Sequence, residues 1–354
     1  MADWTQRCKI SGDVVFFEYV TSELAQNADR VFVWDLDKTY LDTHFESVRG
    51  LYRTIMEKAF QKKNVPGTGS LVRAITTAKD DKAFPIYFIT ASPPQLEEKI
   101  REKLMLDKIR PYGIFFKDNL KNLKPGRLTR LNQQVGYKLQ ALLQLRSVIA
   151  HDVKQILWGD DSESDAIIYS LYSDICSRRL AGDDLKFILS HLKVRGQQLR
   201  VIQNLQNEIP ENDPIDRIYI NLATDTDPDY YYKFGRRTLP TYSSFQASLD
   251  LYQNHNLSLE QVLSVANDLV TNYGFSPEEL GKGLNDLVKR RVLTKEVVEV
   301  IIEGLKTERL LPSYFRLKSE PISTESFRKI FHSDSGSDSE RWIPNFIDYL
   351  HDFR

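Results

Sequence analysis

Short apolar runs recur in the first half of the chain, and each stops abruptly at acids or hydroxyls. Residues 31–34 (Val-Phe-Val-Trp) run into Asp35-Leu36-Asp37-Lys38-Thr39. Residues 86–89 (Ile-Tyr-Phe-Ile) run into Thr90-Ala91-Ser92-Pro93-Pro94. Residues 155–158 (Gln-Ile-Leu-Trp) run into Gly159-Asp160-Asp161-Ser162-Glu163-Ser164-Asp165. Runs this short, rich in β-branched and aromatic residues, predict buried strands. Residues 112–116 and 217–222 predict two more. The apolar stretch 14–20 fits a strand or a short helix, and periodicity does not choose between them.

The intervening segments carry helical spacing. Phe45, Val48, Leu51, Tyr52, Ile55 and Ala59 share one face, which predicts a helix over 45–60. A Val-Pro-Gly turn within 64–70 precedes a helix over 71–78. Further helices are predicted over 95–105, with prolines before its start, and over 135–148, with Lys138 in its early turn. Residues 177–214 read as charged and helical. Strands alternating with helices predict an α/β architecture with a parallel sheet.

From about residue 255 the pattern becomes helical throughout. Ser258-Leu-Glu-Gln261 is a capping box, Ser276-Pro277-Glu278-Glu279 opens a second helix, and Thr294-Lys295-Glu296 a third. Residues 333–340 predict a mobile Ser/Asp/Gly loop. Trp342, Phe346, Tyr349 and Leu350 predict a final helix that docks back. The expected division is therefore an α/β domain over 1–254 and a helical module over 255–354; 354 residues exceed what one hydrophobic core usually organises.

Charge and composition narrow the function classes little. The chain has 48 Lys+Arg against 49 Asp+Glu, so its overall charge names no partner, and nucleic acid is not the expected one. Cys8 and Cys176 are too few for a disulfide scaffold or a cysteine-based zinc site, which fits a reducing compartment. No run of about 18 apolar residues marks a spanning helix, and the N-terminal residues lack the apolar core of a signal peptide. A cytoplasmic location is expected. Oligomeric state is not readable. One local bias stands out. Between Lys99 and Arg146 twelve Lys/Arg face three acids, a net of about +9. It reads either as solvated faces or as a rim that draws an anionic substrate or membrane.

The strand ends carry the candidate chemistry. Open α/β sheets bind ligands at the carboxyl ends of their strands. Asp35 and Asp37, two apart, repel one another unless a cation joins them, and Mg²⁺ with oxygen ligands is the natural partner. Thr90 and Ser92 supply hydroxyls, either to a phosphoryl oxygen or as a cap for the following helix. Lys138 alone reads as solvated surface. The cluster Asp160, Asp161 and Asp165 is costly unless a metal or lysine neutralises it; the alternative is a solvated acidic turn.

The order of these signals resembles the haloacid-dehalogenase superfamily of phosphohydrolases, with four motifs spanning about 31–165. More narrowly, Asp35-Leu-Asp37-Lys-Thr39, Val65-Pro66-Gly67, Phe88 to Leu96, Tyr137-Lys138, and Gly159-Asp160 through Asp165 to Tyr169 resemble the catalytic domain of the actin-patch type phosphatidate phosphatases. Pro94 stands where that family usually has an aromatic, and Asp161 where it commonly has serine. The resemblance implies a sheet of Rossmann-like type with little or no cap. It implies Asp35 as nucleophile and Asp37 as general acid and base. It further implies Mg²⁺ on Asp35, the Asp37 carbonyl and Asp160, and Thr90, Ala91, Ser92 and Lys138 around the phosphoryl group. Asp165 would orient Lys138 or a metal-bound water, and Thr39 would shape the turn.

The expected function is a Mg²⁺-dependent phosphohydrolase acting on a lipid or other large phosphomonoester, with a phosphoprotein or a nucleic-acid end as the alternative substrate, since the roughly 40 residues between the first acids and the second strand leave no room for a large lid domain. Two other classes compete: a phosphate- or lipid-binding module on the same fold without turnover, and an interaction protein recruiting through its C-terminal helices. The presence of both Asp35 and Asp37 argues for the enzyme.

Overall fold

A computed structural model of the chain describes residues 7–20, 28–42, 64–77, 83–118, 132–161, 164–332 and 341–351. The helix expected over 45–60 and the loop expected over 333–340 lie outside the described residues. The architecture is α/β. Residues gather into two compact units, one of 1–63, 84–220 and 346–354, the other of 64–83 and 221–345.

The first unit opens with strands β1 (Lys9–Ser11), β2 (Val14–Glu18) and β3 (Arg30–Asp35). The chain then contributes helix α1 (Thr68–Thr76) to the second unit. It returns as β4 (Ile86–Thr90), a 3₁₀ turn (Pro94–Leu96), α2 (Glu97–Leu106), β5 (Gly113–Lys117) and α3 (Asn132–Val148). Next come β6 (Lys154–Asp160), α4 (Asp165–Cys176), α5 (Gly182–His191), α6 (Gly196–Glu208) and β7 (Ile215–Asn221). The strands lie in the order β1-β2-β5-β4-β3-β6-β7.

Strand β3 pairs in parallel with β4 on one side and with β6 on the other, and β4 pairs in parallel with β5. The chain therefore moves outward from β3 in one direction, then crosses back to add β6 and β7 on the other side. That reversal is where open α/β sheets leave a crevice at their carboxyl ends. The ambiguous 14–20 segment is strand β2. It joins β5 antiparallel, pairing Phe16 with Phe115 in stacked contact at 4.2 Å, so a tertiary partner fixes what local periodicity left open.

The core of the sheet is aromatic. Trp34 stacks on Trp158 at 4.0 Å with rings 4° from parallel, and Trp158 stacks on Tyr219 at 4.1 Å. Trp34 and Trp158 are register partners and fully buried. Slipping β3 against β6 by one residue would break this stack and turn Trp34 and Asp35 to the wrong faces, because side chains alternate along a strand. The tryptophan ladder thus holds in register the two strands that end in Asp35 and Asp160.

In the second unit, helices α7 (Ser244–Gln253), α8 (Leu259–Tyr273), α9 (Pro277–Lys289), α10 (Lys295–Thr307) and α11 (Thr324–His332) follow a 3₁₀ segment (Pro228–Phe234) and a short strand β8 (Thr238–Thr241). Both expected capping boxes form, Ser258 with Gln261 and Ser276 with Glu279. Gln261 Nε2 also donates to the carbonyl of Ala74 in α1 at 2.7 Å, and Ser244 Oγ to the carbonyl of Pro66 at 2.9 Å.

The final segment is not the expected helix: residues 341–351 are irregular. Pro344 cannot donate to a helical ladder. Asp348 Oδ1 accepts the backbone N–H groups of Leu350 and His351, both at 3.1 Å, which closes a turn in place of a helix. The first residues of the segment are held through the backbone, the carbonyls of Arg341 and Trp342 accepting from Arg236 N at 2.8 Å and Arg237 N at 3.2 Å; its end is held by a side chain, the Tyr349 phenol donating to Asp174 on α4 at 2.5 Å.

Candidate active site

All ten residues singled out in the sequence lie in the first unit, at the carboxyl ends of strands, in the segments that follow them, or on helices α3 and α4. Asp35 ends β3 and Asp160 ends β6. Thr90 ends β4, Asp165 opens α4, and Lys138 lies on α3.

Four of them meet in a buried cluster. Asp35, Asp160 and Asp165 are 2 %, 4 % and 0 % exposed, and each offers a carboxylate oxygen within 4.8 Å of the others. Lys138 lies among them. Its ammonium is 3.0 Å from Asp35 Oδ1 and 2.5 Å from Asp165 Oδ1. Far from being solvated, Lys138 is 1 % exposed. Of the readings open for the acidic cluster, neutralisation by a lysine is the one observed; the solvated-turn reading fails for Asp160 and Asp165.

Thr39 is more than a turn residue. Its Oγ1 lies 3.3 Å from Asp35 Oδ2 and 3.2 Å from Asp160 Oδ2, so one hydroxyl bridges the two acids that end β3 and β6. The turn that brings it there is tight: Leu36 O accepts from Tyr40 N at 3.2 Å and from Leu41 N at 2.9 Å.

Asp37 stands apart from the buried acids. It is half-buried, and it accepts the Thr90 hydroxyl at 2.6 Å. Thr90 Oγ1 in turn accepts from Ser92 N at 3.0 Å. The helix-cap alternative for these hydroxyls is not realised: the 3₁₀ turn and α2 have no side-chain cap. Ser92 is 1 % exposed, and its Oγ has no hydrogen-bond partner. Ala91 and Asp161 are half-buried beside these groups in sequence.

Gly159 makes the acid cluster possible. A Cβ there would stand 2.3 Å from Asp165 Oδ2, so only glycine lets that carboxylate fold back, where it accepts Asp160 N at 3.2 Å.

Two tyrosines were not read from the sequence as working residues, although each neighbours one. The Tyr137 phenol lies within hydrogen-bond distance of the carbonyls of Thr90 (2.7 Å) and Phe115 (2.9 Å), tying α3 to the ends of β4 and β5. The Tyr169 phenol donates to the carbonyl of Trp158 at 2.9 Å, tying α4 to β6. Burial above all, then the nearby carboxylates of Asp35 and Asp165 respectively, hold both phenols protonated well above their ordinary range. Their only sequence signals are position: one precedes Lys138, the other follows Asp165 by one helical turn.

The basic stretch is partly consumed inside the fold. Lys138 and Arg146 are buried, Arg146 binding the carbonyls of Ala150 and His151 at 2.9 and 2.6 Å. Arg101 pairs with Glu97 and Lys103 with Asp107. Lys121, Lys124, Arg127 and Arg130 lie outside the described residues.

The donor set suits a hard divalent cation. Three buried carboxylates face one ammonium in these contacts, and oxygen ligands at one point are what such ions take.

Residues 30–181 match the family described as phosphatidate phosphatase APP1, catalytic domain. Every residue of the cluster falls within that span, so the matched region is of a phosphatase, that is, phosphoric monoester hydrolase, kind. Searches of curated proteins and of solved structures give no match. Among the described residues no helix is long and apolar enough to cross a membrane.

Proposed function

We propose that this protein is a Mg²⁺-dependent phosphatase of the haloacid-dehalogenase type, acting through an aspartyl-phosphate on a phosphatidate-like lipid or another large phosphomonoester. The observation that carries the proposal is the buried meeting of Asp35, Asp160, Asp165 and Lys138 inside the matched region.

Asp35 attacks phosphorus. Its carboxylate forms the new P–O bond as the bond to the leaving oxygen breaks, giving an acyl phosphate on Asp35. Asp37 serves as the acid. Its place outside the buried cluster and its partial exposure suit a group that must meet the leaving oxygen and then water. In the second half-reaction Asp37 takes a proton from water, which attacks the acyl phosphate and frees Asp35. The Thr90 hydroxyl, now given to Asp37, can turn to a phosphoryl oxygen, and the backbone of Ala91 and the unsatisfied Ser92 hydroxyl extend that contact. Lys138 offsets charge on the equatorial oxygens, and Asp165 fixes its ammonium. The carboxylates of Asp35 and Asp160 and the carbonyl of Asp37 would hold Mg²⁺, which when bound supplies charge neutralisation for the phosphoryl oxygens. Thr39 supports the acids through the hydroxyl that bridges Asp35 and Asp160, and Asp161 is assigned a supporting role beside Asp160.

The test is phosphate release by purified protein from phosphatidate in mixed micelles and from soluble phosphomonoesters, with Mg²⁺ and with chelator. Mg²⁺-dependent release is expected. Failure to hydrolyse any of them, or full activity in chelator, overturns the proposal.

A further inference from the structure

The middle of helix α3 is buried: Leu139, Leu142, Leu143 and Leu145 are fully covered, and so is Tyr137 beside them. Phenylalanine would fill the same space at 137. A buried hydroxyl is costly unless it is hydrogen-bonded, so packing accounts for the ring and leaves the oxygen to be explained. That oxygen lies at two strand ends, 2.7 Å from the carbonyl of Thr90 and 2.9 Å from that of Phe115.

Thr90 is where the chain leaves the sheet. It is the last residue of β4 and pairs with Phe116 of β5. Three bonds hold the turn that follows. The Tyr137 phenol donates to the Thr90 carbonyl, Ser92 N to Thr90 Oγ1 at 3.0 Å, and Lys117 N to the Ser92 carbonyl at 3.1 Å. Of these the first alone comes from a helix. The next residue of that helix is Lys138, whose ammonium is 3.0 Å from Asp35 Oδ1. Consecutive helical residues project about 100° apart. One turn of α3 therefore reaches two strand ends at once, β4 through Tyr137 and β3 through Lys138. It thereby sets the separation of the Thr90 hydroxyl from the Lys138 ammonium, the two side-chain groups assigned above to the phosphoryl oxygens.

We propose that Tyr137 is a positioning residue of the reaction: its phenol holds the Thr90 carbonyl so that the Thr90 hydroxyl and the Lys138 ammonium meet the same phosphoryl group. The inference rests on the phosphatase reading above. Tyr137 touches no substrate and moves no proton. Without the phenol, two carbonyls lose a buried donor, and the turn shifts while Lys138 stays on its acids. A displacement on the order of 1 Å costs about a hundredfold in rate. The cost falls on kcat more than on KM, because the hydroxyl's bond strengthens as charge develops in the transition state.

The experiment assays the full chain with Mg²⁺ and p-nitrophenyl phosphate, with rates referred to folded protein by melting curves. Inhibition by orthovanadate, which takes the trigonal-bipyramidal geometry of the transferring phosphoryl group, is compared with inhibition by inorganic phosphate. In Tyr137→Phe kcat falls about ten- to hundredfold with KM little changed. Orthovanadate inhibition weakens by a similar factor and phosphate inhibition by less. Tyr137→4-aminophenylalanine, which keeps a donor at the same reach, restores most of both. Tyr172→Phe is the control. It removes an equally buried phenol, 3.0 Å from Gln155 Oε1 near the start of β6, lowers the melting temperature, and leaves kcat and orthovanadate inhibition as in the wild type. Wild-type kcat and orthovanadate inhibition in Tyr137→Phe, an equal kcat loss in Tyr172→Phe, or a Tyr137→Phe chain that does not fold assigns the phenol to stability alone. Each overturns the proposal and leaves the phosphatase reading intact. A wild type that hydrolyses neither p-nitrophenyl phosphate nor phosphatidate micelles overturns both.

Discussion

Lys138 Nζ stands 3.0 Å from Asp35 Oδ1, and both side chains are 2 % exposed. A buried charge that loses its partner is costly, about 3–5 kcal/mol. Lys138→Met should therefore lower the melting temperature markedly in chelator, because Asp35 and Asp165 then face each other without the ammonium. Mg²⁺ should recover part of that loss, since a cation bound only to the folded state stabilises it. Turnover should fall by about two to three orders of magnitude with the loss of a charge that faces the phosphoryl oxygens. Thermal melts of wild type and Lys138→Met, each with and without Mg²⁺, check the account. Equal stability of the two in chelator would contradict it.

Gly159 offers a test that touches no charge. Alanine there would place Cβ 2.3 Å from Asp165 Oδ2, so the carboxylate must move away from Asp160 N and Lys138. We expect Gly159→Ala to cost about 1–3 kcal/mol by overpacking and to reduce activity at least about tenfold by displacing the group that orients the lysine. Denaturant titration and a rate assay read both. Unchanged activity would show that Asp165 does not need this approach.

Cys176 contributes to the loss of stability at alkaline pH. Burial, the dominant cause, pushes its thiol up to about 12 from the ordinary value of 9.0. The folded pKa is thus raised above the unfolded one. The associated stability is complete below about pH 9 and is lost as pH rises toward 12. Tyr137, Tyr169 and Tyr172 shift in the same direction through burial and add to the loss. Unfolding free energy measured from pH 8 to pH 11 should decline more steeply in wild type than in Cys176→Ala. Parallel curves would contradict the assignment. In the folded protein at pH 8, an alkylating reagent should spare Cys176 and mark the part-exposed Cys8.

Sequence patterning made the strands that end in chemistry legible because both signals are local. Apolar runs before Asp35, Thr90 and Asp160 need only their own residues to be read, and β3, β4 and β6 fall on them. Capping boxes at Ser258 and Ser276 are local as well. What escaped depends on partners distant in sequence. Strand β2 is fixed by β5, a hundred residues on. Lys138 looked like one more surface lysine until α3 brought it against Asp35 and Asp165. The bridging of Asp35 and Asp160 by Thr39 needs β3 and β6 side by side. Strand β8 carries Pro240, which weakens any strand signal. The apolar residues 342–350 mimicked a helix face, but Pro344 and the Asp348 turn prevail over spacing.

The central claim is that Asp35 carries the phosphoryl group. Acid quench during steady turnover of a labelled phosphomonoester should trap an acid-stable, base-labile phosphoprotein, and borohydride should convert the modified aspartate to homoserine. Peptide mass spectrometry is expected to find homoserine at position 35 in the wild type. Asp35→Asn should yield neither label nor phosphate release, a loss of several orders of magnitude, while it melts as a folded protein. Label at any other residue, or turnover by Asp35→Asn at the wild-type rate, would contradict the account.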